Sequence, residues 1–79
     1  MNQFLKLTEQ QFKLLTLIKS KPGMNLTEIL DEIAEIYEEF PDGGAVKAKL
    51  YILEEKELIR SQLVTLYKKR RTRRYYSQV

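Results

Sequence analysis

The hydrophobic period of this chain changes once, at Leu58, and that change narrows the folds open to it. Before it, apolar residues recur at helical spacing in three segments. After it, Leu58 to Tyr67 is rich in Leu, Tyr and β-branched residues, and Arg73 to Val79 reads as a second, shorter strand. Pro22-Gly23 and Pro41-Asp42-Gly43-Gly44 punctuate the helical part twice. The expected order is therefore helix, helix, helix, strand, strand. At 79 residues there is room for one domain over 1–79, whose first seven residues form a short arm.

The first two helices each have a start signal. Thr8 followed by Gln11 fits a capping box, with Leu7 and Phe12 placed as a hydrophobic staple. Phe12, Leu15 and Ile18 form one inward stripe, widened by Leu14 and Leu17, and the helix is expected to stop near Ser20. Asn25 with Glu28 repeats the cap, and Leu26, Ile29, Leu30, Ile33, Tyr37 and Phe40 carry the second helix over 26–40. The third helix is expected over 45–57. Val46, Leu50 and Leu53 face inward, Lys47 and Lys49 flank them, and Ala48, Tyr51, Ile52 and Glu55 look outward.

Charge is segregated along the chain. Residues 25–44 carry seven acidic groups and no basic one, whereas 45–79 carry ten Lys or Arg against three Glu. The densest stretch is 68–74, in which only Thr72 interrupts Lys68, Lys69, Arg70, Arg71, Arg73 and Arg74. Like charges crowded at the tip of a hairpin repel unless phosphates or carboxylates offset them, so this tip is expected to meet a polyanion. Of the tyrosines on the returning strand, one of Tyr75 and Tyr76 should pack inward and the other outward. The acidic stripe of the second helix reads as a solvated face, because regular spacing on one helix cannot wrap a cation.

The chain has neither Cys nor His, which removes disulfides, thiolate sites and the commonest general base and metal ligand. No nucleophile–base pair or glycine-rich phosphate loop stands out. An enzyme is thus the weaker class, with no cofactor and no metal expected. No apolar run is long enough to span a bilayer, and the N-terminus lacks the organisation of a secretory signal, so a cytoplasmic location with no membrane partner is expected.

Residues 44–59, GAVKAKLYILEEKELI, followed by Arg73-Arg74-Tyr75-Tyr76, resemble the PadR-like transcriptional regulators. That family runs a glycine into a recognition helix, then Leu-Glu-Glu and Leu-Ile, and returns through a basic wing ending in Tyr-Tyr. Leu53-Glu54-Glu55, Leu58-Ile59 and Arg74-Tyr75-Tyr76 match. Ala45-Val46-Lys47 replaces the usual Thr-Leu-Tyr, and Glu57 stands where the family places Gly. The chain resembles a minimal form of the family, without its C-terminal dimerisation segment. The resemblance implies a winged helix-turn-helix of α+β class acting in transcription regulation.

On this reading the partner is double-stranded DNA. Ala45, Lys47, Ala48 and Lys49 would lie in the first turns of the helix entering the major groove, and Lys68, Lys69, Arg70, Arg71, Arg73 and Arg74 would meet the flanking backbone or minor groove. A plasmid or viral partition role, or an architectural one, would use the same surface. As a protein-interaction module the chain would instead present its acidic second helix or Tyr51 and Ile52. RNA binding fits less well, since no glycine-rich clamp or paired aromatic strands are present. One short helix and one wing read few base pairs, so a homodimer is expected, either standing or formed only on DNA. Phe4, Leu5 and Leu7, with Leu14 or Leu17, are the apolar residues expected to support it.

Overall fold

A computed structural model describes residues 7–67 and 70–79. It contains α1 (Glu9–Ser20), α2 (Leu26–Tyr37), α3 (Gly43–Glu55), β1 (Ile59–Thr65) and β2 (Arg71–Ser77). The class is α+β, three helices followed by a two-stranded antiparallel hairpin. Both expected capping boxes form. Thr8 Oγ1 accepts from the Gln11 amide and Gln11 Oε1 from the Thr8 amide, each at 3.1 Å. Asn25 and Glu28 make the same exchange at 2.9 Å.

The core is built from all five elements. Leu15 and Ile18 of α1, Ile29 of α2, Leu50 and Leu53 of α3 and Ile59 of β1 are fully buried, and Tyr75 of β2 joins them. Leu14 and Leu17 are buried here too, so they belong to the core and do not form the second, exposed apolar face of α1 expected to support a dimer. Of the other residues expected to support one, Leu7 packs against the core, and Phe4 and Leu5 lie outside the described residues. Adding Leu14 and Leu17 to the buried arc swings its centre away from Phe12. That ring was expected inward, yet it stays half-exposed.

Several boundaries differ from the sequence expectation. Helix α2 stops at Tyr37 rather than at residue 40, because Glu38 turns left-handed (φ 52°, ψ 41°). Pro41 disfavours helical geometry at the residue before it, so the chain leaves the helix early. Tyr37 and Phe40, expected on the inward stripe, are exposed as a result. Helix α3 begins at Gly43, two residues early, because the Asp42 carboxylate accepts from the Gly44 amide at 3.0 Å and caps it there. It ends at Glu55, short of residue 57. Glu57 adopts φ 61°, its amide bonds to Glu54 O at 2.9 Å, and the Leu58 amide reaches Leu53 O at 3.0 Å. This is a Schellman closure with glutamate at the left-handed position. Strand β2, finally, starts at Arg71 rather than 73.

The hairpin register pairs Ile59 with Ser77, Ser61 with Tyr75 and Leu63 with Arg73. Odd-numbered residues of both strands therefore share the face that buries Ile59 and Tyr75, and even-numbered residues share the other. Tyr75 points inward as expected of one of the two tyrosines, while Tyr76 lies opposite, with the Arg60 guanidinium 4.7 Å from its ring centre. Met24, between α1 and α2, forms an isolated antiparallel bridge with Tyr75. Gly23 N–H donates to Tyr75 O and Tyr75 N–H to Met24 O, both at 2.9 Å, so the segment before α2 is stitched to β2.

Candidate nucleic-acid interface

Helix α3 turns Val46, Leu50 and Leu53 into the core. The opposite face, at three- and four-residue steps, is Gly44, Lys47, Ala48, Tyr51 and Glu55, all exposed. Its first half is nearly bare of side-chain bulk, with Lys47 as the one long group. Tyr51 is 65% exposed, and the neighbouring Glu55 carboxylate raises its pKa above the usual tyrosine value. Ala45 and Lys49, expected with Lys47 and Ala48 to meet the duplex, do not lie on this outward face. Both are half-buried and border a groove on the α1 side. Lys47 and Lys49 flank the buried stripe, as expected, on opposite sides. An i, i+2 step rotates a side chain by about 200°, so Lys47 and Lys49 cannot share one helix face.

Lys47 instead overlooks a cleft of about 190 Å³ between α2, α3 and the hairpin. Asn25, Leu26 and Thr27 contribute the first turn of α2, and Thr72, Arg73 and Tyr75 contribute β2. The capping box occupies the amides of Asn25 and Glu28, leaving those of Leu26 and Thr27 among the first-turn donors that have no acceptor within the helix. Two cationic side chains and the positive end of a helix dipole thus converge on one polar cleft.

The expected basic tip is divided by the fold. Lys68 and Lys69 lie outside the described residues. Arg70 sits in the connection, where its backbone bonds Leu66 and Tyr67, and Arg71 opens β2; both side chains are exposed. Arg73 donates to Ser61 Oγ at 2.8 Å, and Ser61 in turn donates to Glu54 Oε2 of α3 at 2.7 Å. Arg74 is on the opposite face, half-buried, bonded to Gly23 O at 2.5 Å and 3.7 Å from Glu28. Carboxylates of the body therefore offset part of the repulsion expected at the tip. Among the described residues, Arg70 and Arg71 make no ion pair.

No family model, curated protein or solved structure matches this chain. The likeness to PadR-like regulators accordingly rests on the motifs of residues 44–59 and 73–76 alone.

Among the described residues, no helix is long and apolar enough to cross a membrane, and no three acidic groups are placed to hold a metal ion. Burial raises the pKa of Tyr75; nearby Arg73 opposes that shift and Glu54 adds to it. The sequence reading missed Gly44 as part of the outward helix face and assigned Tyr51 to protein contact only. Helical projection from Val46, Leu50 and Leu53 identifies both. Thr27 and Thr72 in the cleft had no such signal, since their proximity depends on the Met24–Tyr75 bridge.

Proposed function

We propose that this chain is a winged-helix protein that binds duplex DNA, with α3 in the major groove and the β1–β2 hairpin as a wing on the flanking backbone. The observation that carries the reading is the convergence of Lys47, Arg73 and the first turn of α2 on one cleft beside the bare face of α3. A phosphate lying there would meet two cations and free amides while Gly44 and Ala48 let the helix approach base edges. Arg71, on the same hairpin face as Arg73, extends the cationic track away from the body. Lys47 and the arginines position the duplex; Ala48 and Tyr51 are the side chains placed for apolar contact with base edges. Transcriptional regulation is the use implied by the family resemblance. Partition or architecture would draw on the same surface.

The test is a mobility-shift assay with a random duplex competed by sites selected from a random pool. Binding that selected sites compete better than random ones supports sequence reading. Binding that any duplex competes equally leaves only the backbone contact, and no binding at low salt ends the proposal.

A further inference from the structure

The early stop of α2 leaves Phe40 fully exposed at the edge of an apolar groove. The cavity, about 320 Å³, lies between α1, the end of α2 and the start of α3. Leu14, Leu17, Ile33 and Val46 form its floor, and Phe40 and Pro41 stand at its margin. Phe40 is 100% exposed, with half-exposed Phe12 and Ile36 on the two helices that flank the cavity. A small ligand filling this cavity would leave the Phe40 ring in water. A duplex is disfavoured, because Glu38, Glu39 and Asp42 crowd the same loop.

The charges bordering the groove identify a better occupant. Lys49 on the α3 side and Glu39 on the loop side both line it, and neither has an ion-pair partner among the described residues. Lys13 is already engaged, 3.5 Å from Glu9 and 4.9 Å from the centre of the Tyr37 ring. Asp42 lines the groove too, but its carboxylate caps α3 through the Gly44 amide. A surface with a protruding ring, a cavity beside it and an uncommitted charge of each sign is complementary to its own two-fold copy. We propose that this groove is a homodimer interface in which Phe40 of each chain enters the cavity of the other. Lys49 of each then meets Glu39 of its partner. Both rings and both cavities are covered by one symmetric operation, and the two unpaired charges are satisfied. Because Ala45 and Lys49 face the groove while Lys47 faces the hairpin cleft, such pairing sets the two α3 helices side by side with the hairpins outermost. The pairing is a property of the protein alone and does not depend on DNA binding.

Sedimentation equilibrium of the full chain without DNA, in a concentration series up to roughly 1 mM, tests it. The expected result is a monomer–dimer equilibrium. Phe40→Ser should raise the dissociation constant on the order of thirtyfold, as loss of a central aromatic anchor does. Its melting temperature at low concentration should be unchanged, since the ring touches nothing in the monomer. Lys49→Glu and Glu39→Lys should each weaken self-association, and an equimolar mixture of the two should recover a dimer by restoring both ion pairs. A wild-type chain that stays monomeric throughout overturns the proposal, whether a segment of the same chain or an unrelated protein fills the groove. So does a dimer that Phe40→Ser leaves intact, or a mixture of charge variants that remains monomeric.

Discussion

The guanidinium of Arg74 donates to the carbonyl of Gly23 at 2.5 Å, fastening the hairpin to the segment that leads into α2. One member of the basic stretch is thereby structural. Arg74→Ala should lower stability by about 1–3 kcal/mol, the range for a hydrogen bond from a charged donor, and chemical denaturation reads it. Arg71→Ala should change stability by less than about 0.5 kcal/mol, as exposed substitutions do.

If the hairpin meets the duplex backbone, the arginines without partners carry that interaction. Replacing Arg70 and Arg71 with Ala should flatten the plot of log affinity against log salt by roughly 0.9 for each phosphate no longer neutralised. The weakening should be similar for all duplex sequences. A slope equal to that of the wild type would show that Arg70 and Arg71 do not contact phosphate.

Lys47 and Lys49 should separate in the same assay. Lys47→Ala should weaken duplex binding with the fold intact, whereas Lys49→Ala should leave a single bound protomer's affinity unchanged, because its side chain borders the α1 groove. Leu50→Ala is the contrasting case. It truncates a side chain only 1% exposed and should cost about 2–5 kcal/mol of stability.

Glu57 holds φ 61° at the close of α3, where a side chain crowds the backbone. Glu57→Gly should raise stability by about 0.5–1 kcal/mol, after allowing for the greater freedom glycine has in the unfolded chain. The gain should appear as a higher melting temperature. Any fall would show that the glutamate side chain supplies a compensating interaction.

Burial lifts the Tyr75 phenol above the ordinary tyrosine value of 10.0, so the folded chain holds that proton more tightly than the unfolded one. The associated stability is present below pH 10 and is lost as pH rises through the folded-state value. Alkaline unfolding followed by phenolate absorbance should therefore begin at higher pH in Tyr75→Phe than in the wild type.

Much of this architecture was legible because local signals and burial agreed. The capping boxes at Thr8 and Asn25 and the Val46, Leu50, Leu53 stripe are short-range patterns, and the fold keeps them. The errors came where a neighbour outweighed a period. Pro41 ended α2 before Phe40 could join the stripe, and the Asp42 cap drew Gly43 and Gly44 into α3. The basic segment read as one unit only because its charges are consecutive. Strand alternation puts Arg73 and Arg74 on different faces, where each meets a carboxylate distant in sequence, Glu54 through Ser61 and Glu28 directly. Long-range partners of this kind leave no trace in a one-dimensional pattern.

The Met24–Tyr75 bridge also sets an order of assembly. Arg74 and Gly23 lie 51 residues apart, so this seam, like the packing of α1 on β2, closes one of the long loops of the domain, whereas the β1–β2 hairpin and each helix close short ones. Loop-closure entropy makes short loops form first, on microsecond timescales, and delays pairings that must gather the whole chain. The seam is thus expected to close late in folding. Lys47, Arg73 and the first turn of α2 come into register only when it closes, so a partly folded intermediate would own every cation of the cleft and still lack the cleft itself.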